Sequence, residues 1–205
     1  MAISLKIYNR KKEERGITVL VLNVYRLRDD LETPTYGTSL STCFDLTFQP
    51  TTETVIGYDK YNNPITQKIN HLGEISIYPG DRLLIPTGLI FKIERLVTIE
   101  KYADIVSQTD NTLLSKYSIR LHPRSGLSLK RGLVLANSEG IVDVDYQEQV
   151  FVLLTNISSI GQVVKKGERI AQAEVVSNET IDFVVLTKQP EKHSERIGGF
   201  GSTGI

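Results

Sequence analysis

Alternation in "NSEGIVDVDYQEQ" (137–149) puts Asp143 and Asp145 on one face of an extended segment, with Val142, Val144 and Tyr146 on the other. A carboxylate displayed in this way can take a proton from water, and the same pattern equally describes a half-exposed strand with its polar side out. In "HPRSGLSLKRG" (122–132), Pro123 fixes the backbone just before Arg124, Ser125 and Gly126. Arginine brings a donor fork, serine a hydroxyl and glycine close backbone approach, a set that suits a phosphate and also suits an ordinary turn with a helix cap. Asp45 interrupts the apolar "TCFDLTF", and Arg169 and Gln172 stand in the otherwise apolar "GERIAQAEV". A strand-edge acid, a salt-bridged arginine and a core-satisfying glutamine account for these three as well as a binding site does. The chain closes on "ERIGGFGSTGI", where four glycines accompany Arg196, Phe200, Ser202 and Thr203. Such a loop can converge backbone N–H groups on an anion, or it can be a glycine-rich tail. His71, His122 and His193 are scattered, and no pair has metal-ligand spacing, which argues against a protein-built zinc site. No G-x-S-x-G elbow, nucleophilic Cys–His signature or dinucleotide fingerprint is present.

The elements that must position these residues read overwhelmingly as strands. Segments 17–27, 43–48, 74–93, 132–146, 149–156, 168–176 and 180–186 are short, rich in β-branched residues and punctuated by Gly, Pro, Asn or Asp. Many short strands at close spacing imply an all-β sandwich or barrel. "TVIGYDKYNNPITQKI" (54–69) reads as a hairpin turning at Asn62, Asn63 and Pro64. In "ERLVTIEKYADIVSQ" (94–108), Leu96, Ile99, Ala103 and Val106 stand close to helical spacing, so a helix is expected there. At 205 residues the chain supports one sizeable core, and no linker divides it. Basic and acidic residues balance at 24 each, which offers no electrostatic case for nucleic acid or an anionic membrane. That balance leads to the expectation of a small-molecule partner, while a single cysteine, Cys43, and the lack of an apolar leader or membrane-length run lead to that of a reducing cytoplasm.

Order lifts the separate motifs above their individual ambiguity. The chain resembles the homotrimeric dUTPases, whose five motifs are matched in sequence by "STCFDL", "PRSGLS", "NSEGIVDVDYQEQ", "GERIAQ" and "GGFGSTG". The resemblance runs from about Leu22 to Ile205. It implies an N-terminal extension over 1–21, a jelly-roll-like β-barrel over 22–190 and a C-terminal arm over 191–205 swapped between the subunits of a homotrimer. It also implies hydrolysis of dUTP to dUMP and pyrophosphate, which limits uracil in DNA and supplies dUMP. Asp143 would be the base that activates water for attack on the α-phosphorus. Arg124, Ser125, Gly126 and Gln172 would hold the triphosphate. Asn137, Gly140 and Ile141 would meet the uracil edge, and Tyr146 would pack under the sugar and exclude a 2′-hydroxyl. Asp45 would help hold Mg2+ through water. From the arm, Phe200 would stack on uracil, while Arg196, Gly201, Ser202 and Thr203 would meet the outer phosphates.

Several positions depart from the family pattern. One residue fewer than usual separates Arg196 from Gly198-Gly199-Phe200, and Gln147-Glu148 stands where Arg-Gly or Gln-Gly is common. Cys43 and Phe44 replace the small, aromatic or variable residues usual in the first motif. The gap between Asp45 and Arg124 exceeds the family's, and the excess falls to insertions near 51–73 and 94–117. These decorate a trimer or present a surface for a protein partner whose binding dUTP would control. A dCTP deaminase-like enzyme shares the fold and an Arg-Ser phosphate motif, but that group activates water with a glutamate and lacks the fifth motif. Unusual insertions on a motif-complete core fit a viral or phage origin.

Overall fold

Period-two burial sets the strands, because alternate side chains of a strand point to opposite faces. The computed structural model describes residues 4–7, 17–98, 105–107, 116–179 and 181–191. Phe44 and Leu46 of β4 (Phe44–Thr47) are fully buried, while Asp45 and Thr47 between them are half-buried. The same alternation governs β7 (Glu74–Ile77) and β14 (Phe151–Asn156).

The fold is all-β and jelly-roll-like, with two five-stranded sheets enclosing the core. One sheet runs in the order β13 (Gly140–Asp143), β11 (Tyr117–His122), β16 (Arg169–Ser177), β4 and β3 (Thr35–Tyr36). The other runs β12 (Leu133–Leu135), β14, β8 (Arg82–Pro86), β5 (Thr54–Tyr58) and β6 (Pro64–Lys68). A third sheet joins β1 (Ser4–Ile7), β2 (Ile17–Arg26), β9 (Leu89–Thr98) and β10 (Ile105–Ser107), and β15 (Gln162–Lys165) pairs with β7. Phe44, Phe91, Ile85, Leu121, Leu154 and Ala173 are among the buried residues that bring these layers together.

The hairpin read at 54–69 is β5 and β6, with Asn62 in the left-handed conformation (φ 65°) that asparagine tolerates in turns. It is built into the second sheet. Gly57 and Tyr58 pair with Leu83 and Arg82, Val55 is buried, and a Cβ at Gly57 would come within 2.0 Å of the Arg82 carbonyl oxygen. Strand β2 runs across position 22 and pairs with β9 along its whole length.

Two expectations need correction. Residues 94–98 form the end of β9 and 105–107 form β10, paired with it, so the described parts of 94–108 are strand and not helix. Leu96 and Val106 satisfy helical spacing by coincidence; ladder partners on β2 and β9 decide the conformation. The strand expected over 180–186 has no ladder in the single chain: among its described residues, 181–186 belong to no strand. Phe183 and Val185 are 94% and 92% exposed. Apolar patterning records that a segment is to be covered, not what covers it.

Helix α1 (Ser125–Arg131) follows Pro123 and stops at Gly132, whose positive φ of 64° is the left-handed conformation glycine adopts without a Cβ penalty. A Cβ there would also meet the Ser158 backbone nitrogen at 3.0 Å. Among the described residues, no helix is long and apolar enough to cross a membrane.

Candidate active site

Three adjacent strands bring distant residues into one polar row. His122 of β11 pairs with Gln172 of β16, which pairs in turn with Asp45 of β4. Their neighbours Leu121, Ala173 and Phe44 are buried in the core, so the row occupies the outer face of the sheet. Asp45 is held by two cations, Arg124 Nη1 at 3.3 Å from one oxygen and Arg169 Nη1 at 3.2 Å from the other. Gln172 Nε2 donates to the Pro123 carbonyl at 3.1 Å, fixing the turn that presents Arg124. Burial pulls the Arg124 guanidinium below its ordinary pKa, the Asp45 carboxylate opposes this, and nearby Arg169 adds to the depression.

A cavity of about 350 Å³ opens here, lined by Arg124, Ser125, Gly126, Lys130, Arg169 and Gln172 among others. Nothing lies within 4 Å of where a Cβ on Gly126 would sit, so packing does not demand glycine at that position. The space stands open at the start of α1, whose first turn has no side-chain cap. Unpaired first-turn N–H groups beside arginines make a place for an anion.

A second cavity of about 570 Å³ lies at the β13 end of the sheet, lined by Asn137, Gly140, Ile141, Asp143, Tyr146 and Phe151 among others. Ser138 turns the chain with a positive φ of 62° between β12 and β13. Gly140 packs so closely on β11 that an added Cβ would touch Leu121 at 3.0 Å. Asp143 ends β13 with its side chain exposed, and its carbonyl accepts from the Tyr146 N–H at 3.1 Å. The Tyr146 hydroxyl donates to the Gln149 carbonyl at 2.8 Å, which anchors the ring at the cavity wall.

The sequence-derived site residues thus fall into two groups. Asp45, Arg124, Ser125, Gly126 and Gln172 meet around one cavity and the turn beside it; Asn137, Gly140, Ile141, Asp143 and Tyr146 meet around another. Asp143 pairs with Ser118, four residues before His122 and three strands from Asp45. At ordinary strand rise and spacing, that separates Asp143 from Asp45 by about 20 Å along the sheet. Arg196, Phe200, Gly201, Ser202 and Thr203 lie outside the described residues.

A match to the dUTPase family model covers residues 85–204. The chain belongs to the dUTPase family. The deoxyuridine 5'-triphosphate nucleotidohydrolase of Nautilia profundicola is 34% identical over 137 residues, covering 66% of this chain and 81% of that protein. Its namesake from Hydrogenobaculum sp. is 36% identical over 118 residues, covering 57% and 81% respectively. Among solved structures, the Staphylococcus bacteriophage 80alpha dUTPase with dUPNHPP shares the fold at a TM-score of 0.61 and 17% identity, covering 90% of this chain and 98% of that one. The dUTPase from phage phi11 of S. aureus aligns at a TM-score of 0.55 and 14% identity, covering 82% and 97%.

Within this dUTPase-family chain, sequence reasoning missed several neighbours of the site. Lys130 lines the cation-lined cavity, and Arg169, which also pairs with Asp45, lines it too. Strand β11 was not anticipated, although Ile119 and Leu121 alternate with Arg120 and His122 as a half-buried strand requires. Histidine spacing along the chain also leaves one side-chain cluster unseen. Cys43, His122 and Glu174 offer donor atoms that all lie within 4.8 Å of one another. Linear spacing cannot register a cluster assembled from β11, β16 and the residue before β4.

Proposed function

We propose that this chain hydrolyses dUTP to dUMP and pyrophosphate at a site composed from two subunits, with the arm of residues 191–205 closing over it. The observation that carries the reading is the division of the family's motifs between a cation-lined cavity at Arg124 and a second cavity whose Asp143 lies about 20 Å along the sheet from Asp45. A base must lie within hydrogen-bond reach of the water it activates. A neighbouring copy that supplies Asp143 to the Arg124 cavity meets that requirement, which supports a homotrimer with sites at subunit boundaries. The exposed apolar segment at 181–186 supports a swapped arm, since a patch of this kind calls for a partner surface.

In this reading Arg124, Ser125, Gly126 and Gln172 bind the triphosphate. Asn137 and the backbone at Gly140 and Ile141 hydrogen-bond the uracil edge, a pattern that meets cytosine with the wrong donors and acceptors. Tyr146 lies against the deoxyribose, and Asp143 takes the proton of a water aimed at the α-phosphorus. Phe200, Arg196, Gly201, Ser202 and Thr203 complete the enclosure and exclude bulk water. The carboxylates beside the phosphate cavity, Asp45 and Glu168, are engaged by Arg124 and Arg169 and by Arg131 respectively. That donor set does not encage a divalent ion. It fits Mg2+ carried by the substrate's phosphates, with Asp45 meeting its water shell, where the ion would offset charge on the departing pyrophosphate.

The deciding experiment measures pyrophosphate release from dUTP, dCTP, dTTP and UTP, with and without Mg2+, beside ammonia release from dCTP. Selective, Mg2+-dependent turnover of dUTP is expected. Ammonia from dCTP would replace this reading with the deaminase one, which Asp143 in place of a glutamate disfavours.

A second reading, compatible with the first, gives the chain a protein partner whose binding responds to dUTP. Ile56, Tyr58 and Tyr61 stand exposed on the β5–β6 hairpin, and they support it. Deleting 94–117 and altering these three side chains removes that reading if every interaction persists. The cytoplasm is the proposed compartment.

A further inference from the structure

The polar row that holds Asp45 and Gln172 continues one step further along the sheet. Arg120 pairs with Glu174 across β11 and β16, and Cys43, just before β4, comes alongside Glu174. His122 Nε2 lies 3.0 Å from Glu174 Oε1. The other ring nitrogen, Nδ1, faces Glu139 Oε1 at 3.6 Å, and Arg120 Nη1 braces the second Glu139 oxygen at 3.1 Å.

We propose that Cys43, His122 and Glu174 form a binding site for one transition-metal dication of the zinc type. A thiolate, an imidazole and a carboxylate are the donors zinc takes, and the sulfur disfavours Mg2+, which prefers oxygen throughout. Zinc bonds of about 2.0–2.3 Å at tetrahedral angles put ligand atoms roughly 3.3–3.8 Å apart. Donor atoms already within 4.8 Å reach that geometry by side-chain adjustment alone, while β11 and β16 hold the His122 and Glu174 backbones and Cys43 directly precedes β4. Glu139 stands where metal-bound histidines usually have an outer partner: its carboxylate lies 3.6 Å from Nδ1, and a small ring shift, as Nε2 exchanges its Glu174 contact for the metal, would close that hydrogen bond. The charges also close. The Cys43 proton passes to solvent, and thiolate plus carboxylate neutralise the dication without a further protein anion. His122 and Glu174 side chains are 27% and 30% exposed, so water can fill the fourth position.

Cys43 and Glu174 lie two residues along the chain from Asp45 and Gln172, roughly 7 Å away, while His122 pairs directly with Gln172. The site would tie β4, β11 and β16 together beneath the turn that carries Arg124. The proposal stands independently of the substrate, because its test reads the metal directly.

The full-length protein, stripped with a chelator, is titrated with Co2+ and then with Zn2+. The expected result is one Co2+ per chain, with a thiolate-to-cobalt charge-transfer band and the intense visible bands of a tetrahedral site, both lost as Zn2+ displaces Co2+. Cys43→Ser abolishes the charge-transfer band. Glu174→Gln, which preserves the side chain's shape and a hydrogen bond to His122, weakens Zn2+ binding at least tenfold. Removing the outer partner by Glu139→Gln weakens it by roughly 10- to 100-fold. Zn2+ also shields Cys43 of the unaltered protein from alkylation, a readout that stands even if Cys43→Ser fails to fold. Absence of the charge-transfer band at stoichiometric Co2+, unshielded Cys43, or unchanged Zn2+ affinity in Glu174→Gln overturns the proposal and leaves a hydrogen-bonded polar cluster.

Discussion

Asp143 ends its strand with an exposed carboxylate, so exchanging one oxygen for an amide disturbs little packing. Asp143→Asn should therefore lower kcat by roughly 10²–10⁴-fold while a non-hydrolysable dUTP analogue still binds, because an amide cannot take the water's proton. Comparable turnover by the variant in a pyrophosphate assay would remove Asp143 from the base role. Asp81 offers a separate test away from the site. It is 6% exposed, and burial raises its carboxyl above the usual carboxylate range, a shift that nearby Asp59 adds to while the Tyr78 N–H and Lys60 oppose it. A raised folded-state value means the folded chain holds the proton more tightly. The group's favourable contribution is complete below its unfolded value of about 4 and is lost as pH rises through the folded value. Asp81→Asn should thus melt above the unaltered protein at pH 7, with the advantage vanishing below about pH 4. A pH-independent difference in melting temperature would refute that account.

At the scale of elements, the β5–β6 hairpin answers for its own attachment. Gly57 passes against the Arg82 carbonyl with no room for a methyl group, so Gly57→Ala must push β5 off β8. A loss of roughly 2 kcal/mol or more in denaturant unfolding is expected, as for other overpacked sites. An unchanged midpoint would mean the hairpin contributes nothing to the core. Removing residues 196–205 tests the arm: activity should fall steeply while the nucleotide-free protein melts as before, since the truncation spares every strand of the two main sheets. The elements were unevenly legible. Strands such as β4 and β7 announce themselves because their alternating apolar residues all face the chain's own core. Segment 94–108 misled because Leu96 and Val106 stand near helical spacing although they belong to separate strands, and only the pairing with β2 and β9 shows it.

For the whole molecule, the separation of the Arg124 and Asp143 cavities makes a prediction that no single-chain site shares. Arg124→Ala and Asp143→Asn each disable one half, and each assembly alone should be inactive. If the two are unfolded together and co-assembled in equal amounts, some sites pair the intact cation cavity of one chain with the intact aspartate of its neighbour. Random assembly should restore about a quarter of the unaltered turnover. No recovery, with mixed oligomers shown by mass, would mean that each site is built within one chain. Sedimentation of the unaltered protein should give three chains per particle.

Local chemistry and patterning determined much of this protein. Alternating apolar residues specify β-strands because burial follows side-chain period, and the ordered motifs around Asp45, Arg124, Asp143 and Gln172 identify the family. Tertiary structure decided which of those motifs meet. Strand register is a pairing between distant segments, so only the fold could place Asp45 between two arginines, set Asp143 at the far side of the same sheet, and gather Cys43, His122 and Glu174 into one cluster. No spacing along the chain carries that information, because neighbours across a ladder are chosen by hydrogen bonding and burial rather than by distance in sequence.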